Sequence, residues 1–116
     1  MQANGEVDCE FRDRSSPYKV GPRFRATKGK LLIEGVEPIA YPVDEWVRYE
    51  IVTSVGDAST GDWTLTLTFA DGTKKEFKNL KFKSADWRAF HWFGMSNCVK
   101  TTDQTTYFLD DIEISK

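Results

Sequence analysis

The chain has 116 residues, enough for one domain with a packed core. With 16 Lys and Arg against 18 Asp and Glu, its formal charge is −2, so charge alone offers no general attraction for nucleic acid or an anionic membrane. No segment has the apolar length needed to cross a bilayer, and the opening MQANGEVD lacks the basic start and apolar run of a secretory signal. The expected organisation is a single domain over residues 1–116, either complete or part of a longer native polypeptide.

In chain order, Gly5 to Asp13 alternates as a strand, with Val7, Cys9 and Phe11 on one face and Glu6, Asp8, Glu10 and Arg12 on the other. Arg14, Ser15, Ser16 and Pro17 form a turn. The return strand, Tyr18 to Ala26, places Tyr18, Val20, Pro22 and Phe24 opposite in parity to Lys19, Gly21, Arg23 and Arg25. Direct pairing sets Asp8 against Arg23, Glu6 against Arg25, Cys9 against Pro22 and Val7 against Phe24. Pro22 has no backbone N–H, so it belongs at an edge or where its nitrogen faces away from the partner strand. A short apolar strand, Lys30 to Glu34, follows Gly29 and ends at Gly35, and Pro38 and Pro42 restrict pairing around Ile39 to Val43.

The longest consistent pattern runs from Trp46 to Phe69. Val47, Tyr49 and Ile51 alternate with charged residues, and Trp63, Leu65, Leu67 and Phe69 alternate with threonines. Folding this stretch as a hairpin pairs Val47 with Phe69, Tyr49 with Leu67, Ile51 with Leu65 and Thr53 with Trp63, giving one apolar and one mostly polar face. A second turn falls at Asp71 and Gly72. A strict two-residue loop there would put Phe77 opposite Thr66, so a bulge or a longer loop is expected to return Phe77 to the apolar face. Leu80 and Phe82 add two more apolar positions. Trp87 to Gly94 reads as an aromatic core strand, Met95 to Gln104 as a polar loop, and Thr105 to Ile114 as the last strand. Without a helical apolar stripe or an internal repeat, the chain is expected to be all-β: an antiparallel β-sandwich, since one apolar wall needs a second sheet against it.

Few groups suggest covalent chemistry. The single histidine, His91, has no evident serine or cysteine partner for a triad. Cys9 and Cys98 allow either one disulfide or two buried thiols. In the last strand Asp110 shares parity with Phe108, Ile112 and Ile114, and a buried carboxylate needs a basic side chain, backbone amides or a cation. If first and last strands lie side by side, as they often do in jelly rolls, carboxylates from Glu6 to Glu10 would help Asp110 hold a structural calcium ion. The competing reading is a carboxylate capping a bulge or facing solvent.

The ordered phrases GEVDCEFRD, YKVGPRF, GKLLIEG, EWVRYEI, GDWTLTLTFADG, FHWFGMSN and YFLDDIEI resemble the concanavalin A-like lectin and glucanase superfamily. More narrowly, the chain is similar to the later part of jelly-roll modules that close some bacterial sulfatases and polysaccharide-processing proteins. The resemblance spans nearly the whole chain, although complete members usually carry more strands before the point where it begins. It implies a jelly-roll, lectin-like accessory module on an extracellular or periplasmic glycan-acting protein, contacting carbohydrate or polysaccharide beside a catalytic domain. From charge and apolar length, no nucleic-acid or membrane partner is expected, and no cofactor beyond the candidate calcium.

Within it, Glu6, Asp8 and Glu10 form an ExDxE pattern that resembles the motif of retaining laminarinases and lichenases. That likeness implies Glu6 as nucleophile, Glu10 as general acid/base and Asp8 as the group tuning them, and retaining chemistry needs the two carboxyl groups about 5 to 5.5 Å apart. The arginines opposite them offer a structural role instead, because they favour the ionised form whereas an acid catalyst needs a raised pKa. For binding without catalysis, Trp87, flanked by Ser84, Asp86 and Arg88, is the leading candidate to stack a sugar ring. Tyr18, Arg12, Arg23 and Arg25 follow, the arginines sharing a solvent-side row. Trp63, Phe90 and Trp92 are expected in the core. A third reading is a domain that binds no sugar and packs against a catalytic neighbour through an exposed apolar patch.

Overall fold

The computed structural model describes residues 6–42, 44–96 and 109–115. These contain eight strands: β1 (Glu6–Arg12), β2 (Val20–Thr27), β3 (Lys30–Leu32), β4 (Ile39–Ala40), β5 (Arg48–Thr53), β6 (Asp62–Thr68), β7 (Lys74–Lys81) and β8 (Trp92–Ser96). They form two antiparallel sheets, five-stranded in the order β4-β3-β2-β1-β8 and three-stranded in the order β5-β6-β7. The protein is all-β, and the sheets pack face to face as a β-sandwich. Among the described residues no helix is long and apolar enough to cross a membrane.

The three-stranded sheet follows its hydrophobic period. Tyr49 pairs with Leu67, Ile51 with Leu65 and Thr53 with Trp63. Phe69 N–H donates to Thr73 O at 2.9 Å, closing a loop of three residues, Ala70 to Gly72, in which Gly72 takes a positive φ of 87°. The extra loop residue sets Phe77 opposite Leu65, as an apolar face requires. Continued unbroken, this register would put Asn79 opposite Trp63. The register shifts instead, Asn79 adopts a φ of 58°, and Leu80 faces Trp63. One left-handed residue therefore keeps both Phe77 and Leu80 directed at the core.

In the five-stranded sheet, Cys9 pairs with Phe24 and Val7 with Ala26, whereas Asp8 pairs with Arg25 and Glu10 with Arg23. This register lies two residues from direct pairing, and two local features account for the difference. Asp13 accepts hydrogen bonds from the backbone N–H groups of Ser15 and Lys19 at 2.9 and 2.8 Å, and its own N–H donates to Lys19 O, so the loop closes one residue later than a turn over Arg14 to Pro17 requires. A bulge between the Glu10 and Arg12 pairings contributes the second residue. It contains Gly21 and Pro22, so the proline escapes the ladder bond it cannot make. Because the slip is even, carboxylates still face arginines and apolar groups still face apolar groups.

The core joins the sheets through Cys9, Phe24, Leu31, Trp63, Leu65 and Leu67, with Leu80, Phe82 and Trp87 closing one end. Phe24 of β2 stacks on Tyr49 of β5 at 5.1 Å, and the Tyr41 and Tyr49 hydroxyls hydrogen-bond to each other. Residues 109–115 form no strand and are exposed, which corrects the expected last strand over its described part. The rest of that expected strand, and Cys98, lie outside the described residues.

Candidate functional site

The outer face of the five-stranded sheet gathers most of the residues singled out in the sequence. Along β1, Glu6, Asp8, Glu10 and Arg12 point to this side. Arg23 and Arg25 come from β2, and Trp92, Gly94 and Ser96 pair with Arg12, Glu10 and Asp8 from β8. The opposite parity of β8 faces the core, where Phe93 meets Phe11 edge-on at 5.3 Å and Met95 pairs with Cys9.

Trp92 is therefore a surface residue, 43% exposed, and not the core residue expected of it. Its indole fills the space above Gly94 that a Cβ there would need. The Arg12 guanidinium lies 4.1 Å from the Trp92 ring and 4.0 Å from the Tyr18 ring, and Tyr18 is 50% exposed. Arg12 Nε also donates to Glu10 Oε2 at 3.0 Å. A cation stacked on two rings and tethered by a carboxylate holds both aromatics in place while leaving them open to solvent. Both parities of the segment Phe90 to Met95 carry aromatics, so the alternation cannot say which side faces in. Only the pairing with β1 decides it.

Next to this pair lies an ionic cluster. Arg23 grips Asp8 with two hydrogen bonds, Nε to Oδ1 at 3.2 Å and a terminal nitrogen to Oδ2 at 2.8 Å, and Arg25 adds one to Oδ2 at 3.1 Å. The guanidinium groups cover Asp8, which is only 4% exposed although its strand position faces outward. Burial by itself pushes the Asp8 carboxyl up, but hydrogen bonds and charge from Arg23 and Arg25 outweigh it and hold it below the ordinary value. Glu10 also approaches Arg23 at 3.7 Å, and Glu6 approaches Arg25 at 3.5 Å. The ExDxE carboxylates thus share one face, as their spacing requires, and each has an arginine partner.

Trp87 lies elsewhere. It is completely buried, edge-on to Phe82 at 4.9 Å, with its indole against Gly21. The segment after β7 laces onto the start of β2: Lys83 N–H donates to Gly21 O, Ser84 N–H to Val20 O, and Val20 N–H to Ser84 Oγ. This lacing turns Trp87 inward. The polar residues around it serve the segment itself, since Asp86 pairs with Lys19 at 2.8 Å and Arg88 donates to the carbonyls of Ala85 and Trp87. With its ring inside the core, Trp87 is corrected from a ligand-stacking position to a packing one.

Asp110 is exposed, and its Oδ1 accepts a hydrogen bond from Asp111 N–H, so it is not the buried carboxylate expected on an apolar face with Ile112 and Ile114. Among the described residues no group of three or more His, Cys, Asp or Glu side chains could hold a metal ion. Cys9 carries a free, buried thiol. Comparison of the chain with protein-family models, with curated proteins and with solved structures gives no match.

Proposed function

We propose that the chain is a non-catalytic, lectin-like module of concanavalin A-like jelly-roll type that takes a glycan on the outer face of its five-stranded sheet. The observation that carries this reading is the pair of half-exposed rings, Trp92 and Tyr18, both fixed by the Arg12 guanidinium and bordered by Arg23 and Arg25. A pyranose presents an apolar C–H face that packs on an aromatic ring, and its hydroxyls accept hydrogen bonds from forked donors. Rings held in place need less ordering when a ligand arrives. Trp92 takes the stacking role that the sequence suggested for Trp87, and Tyr18, Arg12, Arg23 and Arg25 keep theirs. The accessory place beside a catalytic domain, and an extracellular or periplasmic setting, belong to the same proposal.

The test is binding to a panel of polysaccharides, with product release scored in the same wells. Trp92→Ala is compared with Trp46→Ala, which removes an exposed indole just before β5. Binding without cleavage that is lost in Trp92→Ala and kept in Trp46→Ala supports the reading. Cleavage abolished by Glu6→Gln replaces it with a glycosidase, and silence across the panel replaces it with a domain that packs against a neighbour.

A further inference from the structure

A cleft of about 250 Å³ opens at the border of the two sheets, along the same face as Trp92 but on the far side of β2. Its lining includes Arg23 and Arg25 from β2, Leu32 and Glu34 from β3 and the residues after it, and Lys81 and Lys83 at the end of β7. Four basic residues and one acidic residue thus line the cleft, in a chain whose formal charge is −2. Asp8 and its neighbours offset the arginines from the β1 side. Lys81 and Lys83 enter no ion pair among the described residues. The exposed ammonium groups of Lys81 and Lys83, beside the two arginines, are donors that an incoming oxyanion can reach.

We infer that this cleft binds an oxyanion carried by the glycan, a carboxylate or a sulfate, so that the module selects acidic over neutral polysaccharides. The inference rests on the carbohydrate reading above and deepens it: stacking on Trp92 and Tyr18 holds a sugar ring, and the cleft, about three strand spacings away beyond the arginine row, reads the charge on a unit further along the glycan. Selectivity comes from the cleft because the rings accept any pyranose face.

Lys81 and Lys83 are exposed, and their backbone groups supply the local bonding, so Gln at both positions leaves the fold intact; Arg23 and Arg25 are unsuited to the test because they hold Asp8. The experiment measures binding of the parent and the Lys81→Gln, Lys83→Gln double variant to two matched pairs of probes and a neutral control. The first pair is polygalacturonate and its methyl ester, the second is a sulfated galactan and its desulfated form, and the control is a neutral β-glucan. Thermal melting checks that the double variant folds as the parent does. The expected result is tighter parental binding to one charged member than to its uncharged match, weakening with salt, and roughly tenfold weaker binding in the double variant. Which charged member binds distinguishes carboxylate from sulfate. Equal binding of charged and neutral matches, or a double variant that binds the charged probe as well as the parent, overturns the inference while the carbohydrate reading stands. No binding to any probe overturns both.

Discussion

The indole of Trp87 occupies the space that a side chain on Gly21 would need, so the loop after β7 and the bulge in β2 are one packing unit. Gly21→Ala forces either the ring or the strand to move, and a loss of about 1 to 3 kcal/mol is expected from overpacking. Trp87→Ala leaves a cavity and is expected to lose about 3 to 5 kcal/mol. Trp92→Ala removes a partly exposed ring stacked on Arg12, with an expected loss of about 1 kcal/mol. Urea unfolding of the three variants checks the order. A Trp92 variant as unstable as the Trp87 variant would contradict the surface placement of Trp92.

Asp8 joins two arginines, and its removal leaves them side by side on β2 without the carboxylate between them. Because both guanidinium groups are about one-third exposed, water softens the penalty, and Asp8→Asn is expected to cost about 2 kcal/mol, below the figure for a fully buried pair. The folded-state carboxyl lies below its ordinary value of 3.8, so the unfolded chain takes up the proton first as pH falls. The contribution of Asp8 is therefore complete above the unfolded value and disappears as pH drops through the lower folded value. Unfolding free energies of parent and variant, measured from pH 7 downward, should converge in acid and separate again on neutralisation.

Asn79 is the residue on which the register of β7 turns. At a φ of 58°, Asn79→Gly is expected to stay within about 0.5 kcal/mol of the parent, whereas Asn79→Val adds strain of about 1 to 2 kcal/mol. Comparison of the two unfolding midpoints checks this. A valine variant as stable as the glycine variant would mean that the bulge is not held at that position.

Burial pushes the Cys9 thiol well above its ordinary range, and the Asp8 and Glu10 charges add to the shift. In a Cys98→Ser background, which isolates Cys9, alkylation at pH 8 is expected to be slow in buffer and to accelerate with urea in step with unfolding. Rapid labelling of the native protein would show that the sheet opens locally at β1.

A two-residue hydrophobic period and strong turn residues made the β5–β6 hairpin legible without coordinates: the pairs Tyr49 with Leu67, Ile51 with Leu65 and Thr53 with Trp63 follow from alternation alone, because any odd slip would expose the whole apolar set. The need to return Phe77 to the core was equally readable from its conflict with a two-residue turn. For β1 and β2, alternation fixed which residues share a face but not the register, since an even slip preserves every apolar and charged match. The Asp13 hydrogen bonds and the Pro22 bulge resolve that ambiguity through local geometry.

The sequence by itself determined the all-β class, the two-sheet arrangement and the charged face of β1 and β2, because these depend on periodicity and residue type within short stretches. The tertiary structure alone decided which tryptophan lies inside. Trp87 lies between Asp86 and Arg88, and Trp92 between His91 and Phe93, so local polarity points the wrong way for both. Trp87 is drawn inward by backbone bonds between the end of β7 and the start of β2, and Trp92 is held outside by its pairing with Arg12. Both contacts join segments more than 60 residues apart in sequence, a separation across which propensity and period carry no information.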